Sequence, residues 1–383
     1  MHSPKPHWYS LTPDKFLAGL LAVEVLLFLA DRYAWFGLAS ESGWNVLLAV
    51  AHVGATLLIG LLWCGASLLF RWQFQFSIRS LCLLMTSVAL VCSWFAVKMQ
   101  QANTQTEIVE EIRAKHGEVD YDYQFGPRGR IILGSKSPAP AWLLTMLGED
   151  FFSKVGGVYF REFGEGIPFD KSFDDEDLFR LQEFSNLRHL GLARTQVTDA
   201  GLVHIRQMKN LSVLNLRITG VTDAGLKHIQ NLSLLEVLEL DSTKVTDAGL
   251  EHLEGLGRLE VLTLYDTQVT DAGLKHLQSL HHLEWLYLYN TQVTDAGLKH
   301  LQGLKNLRGL GLDNTCISDV GLQHLVGTNL HFLELRGTKV SDEGLKHLKR
   351  LANLVELTLY DTKVTEHGVA ELQQALPNCI MGH

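Results

Sequence analysis

Seven histidines recur at one position of a repeating segment, and imidazole is a good metal ligand. They are His204, His228, His252, His276, His300, His324 and His347. Each segment supplies one histidine and no second donor at close helical spacing. The five cysteines show no metal-ligand spacing either. We therefore expect this column to pack or to face solvent, without a metal or another cofactor.

No catalytic motif accompanies these histidines. The chain lacks a Gly-x-Ser-x-Gly elbow, a phosphate-binding loop and a His-Glu-x-x-His sequence. Glu24 and His52 lie inside apolar runs, where ionisable groups often mark an ion or proton path. Two groups are too few for a relay, so we favour an interpretation in which they pair, or bind waters, and hold helices together. Neither an enzyme nor a transporter is expected.

A third group of residues suits recognition rather than chemistry. Predicted strands carry aromatic and charged side chains at the positions that alternation directs away from the core. The candidate binding residues are Tyr265, Trp285, Tyr287, Tyr289, Asp313, Phe332, Glu334, Arg336 and Tyr360. Gly309 and Gly311 are expected to leave a shallow floor beside the aromatic side chains. Aromatic anchors near charges are typical of protein-binding surfaces, although cross-strand packing alone is the alternative.

The elements that position these residues come from a repeat of 24 residues, with one step of 23. Its opening leucines are Leu187, Leu211, Leu235, Leu259, Leu283, Leu307, Leu330 and Leu354, and they define coils one to eight. Each coil reads Leu-x-x-Leu-x-Leu-x-x-Thr-x, then Val or Ile and Thr or Ser; Asp, one further residue and Gly-Leu follow in coils one to seven, and coil eight has Glu366 and Val369 at the Asp and Leu positions. Such a period predicts a solenoid in which every coil needs its neighbours for stability.

Within one coil, the pattern predicts a strand, a turn and a helix. Leu259, Leu262 and Leu264 should point inward from the strand of coil four, and Thr267 should satisfy backbone groups of the turn. Thr270 is a good helix N-cap, and Asp271 adds a favourable charge to the first helical turn. Similar threonines close the strand segment of every coil.

The repeat closely resembles the longer, helix-containing leucine-rich repeat, and the whole layout resembles bacterial membrane-anchored, internalin-like proteins. The resemblance implies an α/β solenoid with a curved parallel sheet, and a protein or peptide partner bound on its concave strand face. Its Val-Thr-Asp-x-Gly-Leu signature is also similar to repeats of F-box substrate adaptors, but no F-box-like region is present. A structural envelope protein without a dedicated ligand and an adaptor-like scaffold are the alternatives.

Three apolar runs near residues 16–36, 44–70 and 80–97 predict transmembrane helices within a membrane region, 1–98. Lys5, Lys15, Arg71 and Arg79 would then share one side of the bilayer, which slightly favours a cytoplasmic N-terminus. The expected location is the cell membrane, with the repeats outside the cytoplasm. Contact with the lipid bilayer follows from these spans.

Charge is divided unevenly between this region and the remainder. Residues 1–98 hold six basic and four acidic residues, so the rest of the chain carries −11 within a total of −9. A part this acidic is a poor candidate for binding nucleic acid, which requires a basic surface. A protein or peptide is the expected partner, and a homo-oligomer is possible.

A connector and a capping unit separate the membrane region from the coils. Residues 99–154 are expected to form a juxtamembrane helix, whose stripe of Ile108, Val109 and Ile112 would pack on its own domain or dimerise, and a small α+β connector. Within it, 117–125 alternates as a strand and 141–152 has the pattern of a helix. Residues 155–383 form the predicted repeat domain, with caps at 155–181 and 370–380.

Overall fold

The computed structural model describes residues 78–126, 131–132, 134–160 and 173–383. Their contacts divide the chain into two units. The first unit comprises, among the described residues, 78–107, 121–126, 131–132 and 134–154. The second comprises 108–120, 155–160 and 173–383.

Helix α1, Ile78–Ala114, and helix α2, Ala141–Leu147, provide the apolar core of the first unit. Ala102 packs with Leu143, Phe151 and Phe152. Beside this core, the Asp150 carboxylate accepts hydrogen bonds from Gln105 at 2.7 Å and from a threonine hydroxyl at 2.8 Å. The predicted helix over 141–152 stops at Leu147, because Gly148 takes a φ of +78° before a short 3₁₀ turn.

The predicted membrane spans near 16–36 and 44–70 lie outside the described residues, and the third, near 80–97, falls within α1. In the part of the chain that the structure describes, no helix is long and apolar enough to cross a bilayer. The described residues therefore give the predicted spans no support. Glu24 and His52 also lie outside the described residues.

Across the described residues, eleven strands form one sheet, in which neighbours along the chain are neighbours in space. In order they are β1 Gly117–Tyr121, β2 Val155–Phe160, β3 His189–Gly191, β4 Val213–Asn215, β5 Val237–Glu239, β6 Val261–Thr263, β7 Trp285–Tyr287, β8 Gly309–Gly311, β9 Phe332–Glu334, β10 Glu356–Thr358 and β11 Ile380–Gly382. From β2 onward the strands pair in parallel and in register, so that Leu238, Leu262 and Leu286 align. Equivalent positions of successive coils therefore form straight columns.

A short helix follows the strand of each coil. The helices of the second unit are α3 Asp175–Arg180, α4 Asp199–Ile205, α5 Asp223–Leu226, α6 Asp247–Leu250, α7 Asp271–Leu274, α8 Asp295–Leu298, α9 Asp319–Leu322, α10 Asp342–Leu348 and α11 Glu366–Ala375. Several contain one α-helical turn and continue as a tighter 3₁₀ segment, as α7 does at Lys275–Ser279. The predicted helices are therefore present but short.

Leucines from strands and helices fill the interior between these layers. Leu259, Leu262 and Leu264 of coil four are fully buried, as are Leu274 and Leu277 of its helical side. The threonine that closes each strand segment donates its hydroxyl to the carbonyl three residues earlier at 2.6–2.7 Å. The predicted role of Thr267 and its equivalents in satisfying turn backbone groups is confirmed.

Each coil is also joined to the next by an aspartate. Asp271 accepts a hydrogen bond from the Thr294 amide at 2.7 Å and another from its hydroxyl at 2.6 Å. Among the residues that the structure describes, the same two contacts occur in eight pairs, which we call the Asp clamps: Asp175–Thr198, Asp199–Thr222, Asp223–Thr246, Asp247–Thr270, Asp271–Thr294, Asp295–Ser318, Asp319–Ser341 and Asp342–Thr365. The aspartate thus links coils besides its predicted role at a helix start.

The glycine of the signature makes room for this clamp. A Cβ atom on Gly273 would lie 2.4 Å from the Oδ1 atom of Asp247, the aspartate of the preceding coil. Thr270, the N-cap residue, donates to that same carboxylate and accepts from the Ala272 amide at 3.3 Å. Threonine, aspartate and glycine therefore form a single contact system between coils, which accounts for their recurrence.

The two ends of the solenoid are closed by nonrepeating segments. At the first end, Ile108, Val109 and Ile112 are buried within the second unit, and α3 forms the ion pairs Arg180–Glu111 and Asp177–Lys115. This stripe of α1 thus belongs to the same compact unit as the coils, and not to the connector predicted over 99–154. At the other end, α11 is the helix of coil eight, and β11 follows it and pairs with β10.

The strand predicted over 117–125 ends earlier than expected. β1 stops at Tyr121, and Asp122–Gln124 forms a 3₁₀ turn. The Gln124 side-chain oxygen accepts a hydrogen bond from the Tyr121 amide at 2.6 Å, so a local turn replaces further pairing.

Candidate partner-binding surface

Five aromatic side chains lie in mutual contact on the outward face of strands β6 to β9. We call them the aromatic ledge: Tyr265, Trp285, Tyr287, Tyr289 and Phe332. The Trp285 ring centroid lies 6.3 Å from that of Tyr287 and 5.2 Å from that of Phe332. Tyr289 lies 5.5 Å from Tyr287 and 6.3 Å from Tyr265. The structure therefore joins side chains from coils four, five and seven into one surface.

The two glycines of β8 do not form the shallow open floor that was expected. A Cβ atom on Gly309 would lie 2.1 Å from Cε3 of Trp285, and one on Gly311 would lie 2.1 Å from Cε1 of Tyr289. The aromatic rings of coil five thus lie directly over the backbone of coil six. That prediction was wrong because a glycine in a sheet lets a neighbouring large side chain spread across it. The two glycines support the ledge from below.

Tyr289 is fixed at its far end by a carboxylate. Its hydroxyl donates a hydrogen bond to Glu334, two coils further along the sheet. Burial raises the pKa of Tyr289, and the hydrogen bond and negative charge of Glu334 raise it further. Burial likewise raises the pKa of Tyr287, with a contribution from Glu334. Both hydroxyls therefore remain protonated donors at neutral pH.

The charged members of the predicted site lie beside the ledge. The Asp313 carboxylate accepts a hydrogen bond from the Arg336 amide at 2.9 Å, and the Arg336 guanidinium pairs with Asp361 at 3.0 Å. Burial raises the pKa of Asp313; the amide of Arg336 lowers it, and nearby Glu334 raises it. Asp313 and Glu334 thus form a half-buried acidic pair at this border.

Tyr360 is the predicted site residue that the structure places apart. Its ring lies over Gly382 of the terminal strand, where a Cβ atom would be 2.7 Å from the tyrosine hydroxyl. Tyr360 is 47 % exposed, compared with 37 % for Tyr265, and the other ledge residues are partly buried. Tyr360 is therefore a separate position, while the remaining predicted residues cluster around the ledge.

A column of glutamates at the starts of three strands was missed by the sequence analysis. Glu236, Glu260 and Glu284 precede strands β5, β6 and β7. The Glu260 amide donates a hydrogen bond to the Glu236 carbonyl, and the Glu284 amide donates one to the Glu260 carbonyl, both at 2.8 Å. We call this column the acidic edge. Burial raises the pKa of Glu236; the charge of Glu260 raises it further and Arg258 lowers it. A signal was present in the sequence, because glutamate occupies the same position in three successive coils.

The histidine column lies on the helical side and bonds between coils. The Nδ1 atom of His276 lies 2.6 Å from Glu254, and that of His300 lies 2.8 Å from Gln278. His204 and His324 have equivalent glutamine partners. Among the described residues, no group of three or more His, Cys, Asp or Glu side chains is arranged to hold a metal ion. These contacts agree with the packing interpretation.

Comparison with known proteins gives one family match and several structural likenesses. Residues 328–349, which contain β9 and α10, match the family described as Leucine Rich repeat. No curated protein matches the chain. Internalin C2 from Listeria monocytogenes is 27% identical, with a TM-score of 0.41, over 54% of this chain and 82% of its own.

Two further solved structures share less sequence with the chain. A chain of the mouse RP105/MD-1 complex is 20% identical, with a TM-score of 0.42, over 53% of this chain and 39% of that one. An internalin, InlF, from Listeria monocytogenes is 16% identical, with a TM-score of 0.26, over 54% and 88%.

Proposed function

We infer from the eight coils and the matched repeat that this chain is a leucine-rich repeat protein, and we propose that it binds a protein or peptide partner on its aromatic ledge. The observation that carries the proposal is the continuous contact of five partly exposed aromatic side chains on the outward strand face. Tryptophan and tyrosine contribute strongly to binding energy when a partner covers them.

The ledge is a local departure from the repeat. At the position of Trp285, coils two to four carry Val213, Val237 and Val261, and the interior is already filled by the inward leucines. Folding of a coil therefore requires no aromatic side chain at this position. A surface that concentrates large rings in neighbouring coils is better explained by recognition than by the needs of the solenoid.

Membrane attachment belongs to the same proposal. Its support is the sequence of residues 1–98, with three apolar runs near the lengths that cross a bilayer. The balance of Lys and Arg favours repeats outside the cytoplasm. Protease added to intact cells should then digest the repeats; protection in intact cells and digestion after lysis would reverse the orientation.

A site-specific crosslinking experiment tests the ledge directly. A photoreactive phenylalanine analogue replaces Tyr265, an exposed ledge residue, in the full chain expressed in cells. The matched control carries the same analogue at Val203, which is exposed on α4. We expect one discrete crosslinked protein from position 265 and none from position 203.

The same experiment in a Trp285→Ala, Tyr287→Ala background separates recognition from packing. The rings also contact each other, so the alternative is a structural protein whose ledge only stabilises the sheet. Binding predicts that the crosslink disappears while hydrogen exchange in the other coils is unchanged. A crosslink that persists in the double variant would reject the ledge as the binding surface, and a crosslink to a second copy would identify the chain as its own partner.

A further inference from the structure

Two groups of carboxylates lie near the ledge. The first, the acidic edge, places Glu236, Glu260 and Glu284 one coil apart, and equivalent atoms of parallel strands are about 4.8 Å apart. The second group comprises Glu334, which is in the register column of Tyr287 and accepts the Tyr289 hydrogen bond, and Asp313; both are half-buried. The aromatic rings thus lie near negative charge.

Nearby cations neutralise this charge only in part. Arg308 approaches Glu284 at 3.5 Å, and Arg336 is paired with Asp361 rather than with Glu334. Among the residues that the structure describes, Glu236 and Glu260 form no ion pair. Like charges at neighbouring positions of a sheet are unfavourable. The raised pKa of Glu236 reflects burial and the charge of Glu260, which the positive charge of Arg258 opposes without cancelling. The surface therefore retains an unbalanced negative charge.

The aromatic rings of the ledge also favour a cationic partner. The face of an indole or phenol attracts ammonium and guanidinium groups, and it packs against the apolar stems of Lys and Arg. Tyr287 and Trp285 are stacked with an interplanar angle of 21°, so they present a broad, nearly common face. Carboxylates around such a face complement a cationic side chain in charge, while the rings complement it in shape.

We propose that the ledge and the acidic edge together recognise a protein segment rich in Lys and Arg. This proposal rests on the proposed function and specifies the chemistry of the partner. Basic side chains would stack on Trp285 and Tyr287 and direct their charges toward the acidic edge. The attraction would guide association and select against acidic partners.

Two fluorescent peptides of equal length test this preference with the purified full chain. The charged positions of the first peptide are all Lys or Arg, and the second carries Gln at those positions. We expect the basic peptide to bind about tenfold more tightly than the Gln peptide, with affinity that falls as salt rises. Equal affinity for the two peptides would overturn the proposal.

Charge removal at two places identifies the surface involved. The test variant carries Glu236→Gln, Glu260→Gln and Glu284→Gln. The matched control carries Glu251→Gln, Glu343→Gln and Glu366→Gln, which removes equal charge from exposed positions of the helical side. We expect the preference for the basic peptide to vanish in the test variant and to persist in the control. Equal loss in both, or no loss in the test variant, would overturn the proposal.

The partner crosslink at position 265 distinguishes failure of the proposed preference for Lys and Arg from failure of the proposed function. If the crosslink forms and requires Trp285 but the basic peptide shows no preference, the ledge binds a partner of different chemistry. If neither the crosslink nor the peptide preference depends on the strand face, both proposals fail. Hydrogen exchange over coils three to five verifies that each variant is folded.

Discussion

The residues at the junctions between coils repeat along the chain, whereas those on the outward strand face differ from coil to coil. At the junctions, eight Asp clamps repeat the same two hydrogen bonds, with amide distances of 2.7–2.8 Å. On the strand face, the column of Trp285 contains His189, three valines, a glycine, Phe332 and Glu356. The backbone is equally regular under both. Repetition therefore indicates which residues build the solenoid, and departure from repetition indicates which residues give this solenoid its own surface.

The largest expected effect comes from removing one clamp. Asp271→Ala deletes the acceptor of both Thr294 bonds, and hydrogen bonds to charged groups contribute about 1.5–3 kcal/mol each. We expect the free energy of unfolding, measured by urea titration, to fall by about 3 kcal/mol, with the greatest loss of amide protection in coils four and five.

The isosteric variant Asp271→Asn keeps one acceptor oxygen and provides the control. It should lose roughly half as much stability because one of the two bonds persists. If the unfolding free energy of Asp271→Ala lies within about 0.5 kcal/mol of the wild-type value, as it does for a neutral surface substitution, the clamp does not hold the coils together.

The same substitution, glycine to alanine, compares the junctions between coils with the outward strand face. At Gly273 the new methyl group would meet the Asp247 carboxylate and Leu250, so we expect a loss of about 2 kcal/mol. At Gly311 it would meet the Tyr289 ring, which can swing outward, so the stability loss should stay below about 1 kcal/mol. The crosslink from the ledge should nevertheless weaken in Gly311→Ala, because the Tyr289–Glu334 bond is broken.

Gly257→Ala is the matched control, since a Cβ atom there has no neighbour within 4 Å. Its urea midpoint should remain close to that of the wild type. The comparison between junction and face fails if Gly311→Ala destabilises the chain as much as Gly273→Ala.

A gain in stability is expected at one strained position of the repeat. Ile218 has a φ of 55°, an unfavourable conformation for a β-branched residue, and its amide donates to the Asp241 carbonyl at 2.8 Å. Ile218→Gly keeps this bond and relieves the strain, so unfolding free energy should rise by about 1 kcal/mol. Gly337→Ala, at the corresponding position of coil seven, should have the opposite effect, because its Cβ atom would lie 2.2 Å from Asn314.

The smallest effect concerns pH. The Thr365 amide, followed by its hydroxyl, lowers the pKa of Asp342 below its ordinary value of 3.8. The resulting stability is present above pH 3.8 and is lost as the pH falls through the lowered folded-state pKa. Urea midpoints of the wild type should therefore decline more steeply below that pH than those of Asp342→Asn. If the urea midpoints of the wild type and of Asp342→Asn fall equally steeply in acid, this clamp does not contribute to stability through its charge.

The period of the sequence was sufficient to predict the strand and helix of each coil, the inward leucines and the threonine hydroxyls, and these predictions are confirmed. All of them depend on contacts within one coil. The clamp was not predicted, because Asp271 bonds to a residue 23 positions later, and that distance closes only once the register between coils is known. The signature Thr-Asp-x-Gly contained the relevant residues, but its threonine and aspartate were interpreted as a helix start.

The same limit explains the outcome at the strand face. Strand alternation correctly predicted which side chains point outward. It did not predict where the rings of coil five extend, because a ring that spreads over Gly309 or Gly311 belongs to one coil and occupies the space of the next. The contact between Tyr289 and Glu334 likewise depends on a side chain that extends across the neighbouring coil. Which of these residues contact a partner stays a prediction.

Because the Asp clamps share one geometry, a whole coil can be removed or added without breaking the clamps of the remaining coils. Removing residues 247–270 would join Thr246 to Asp271, so the chain would still read Thr-Asp at the junction. Asp223 would keep Thr246, and Asp271 would keep Thr294. Duplication or loss of a whole unit in the gene therefore leaves every remaining junction chemically complete. The length of the solenoid can change by recombination, and new neighbours then assemble new outward surfaces from existing coils.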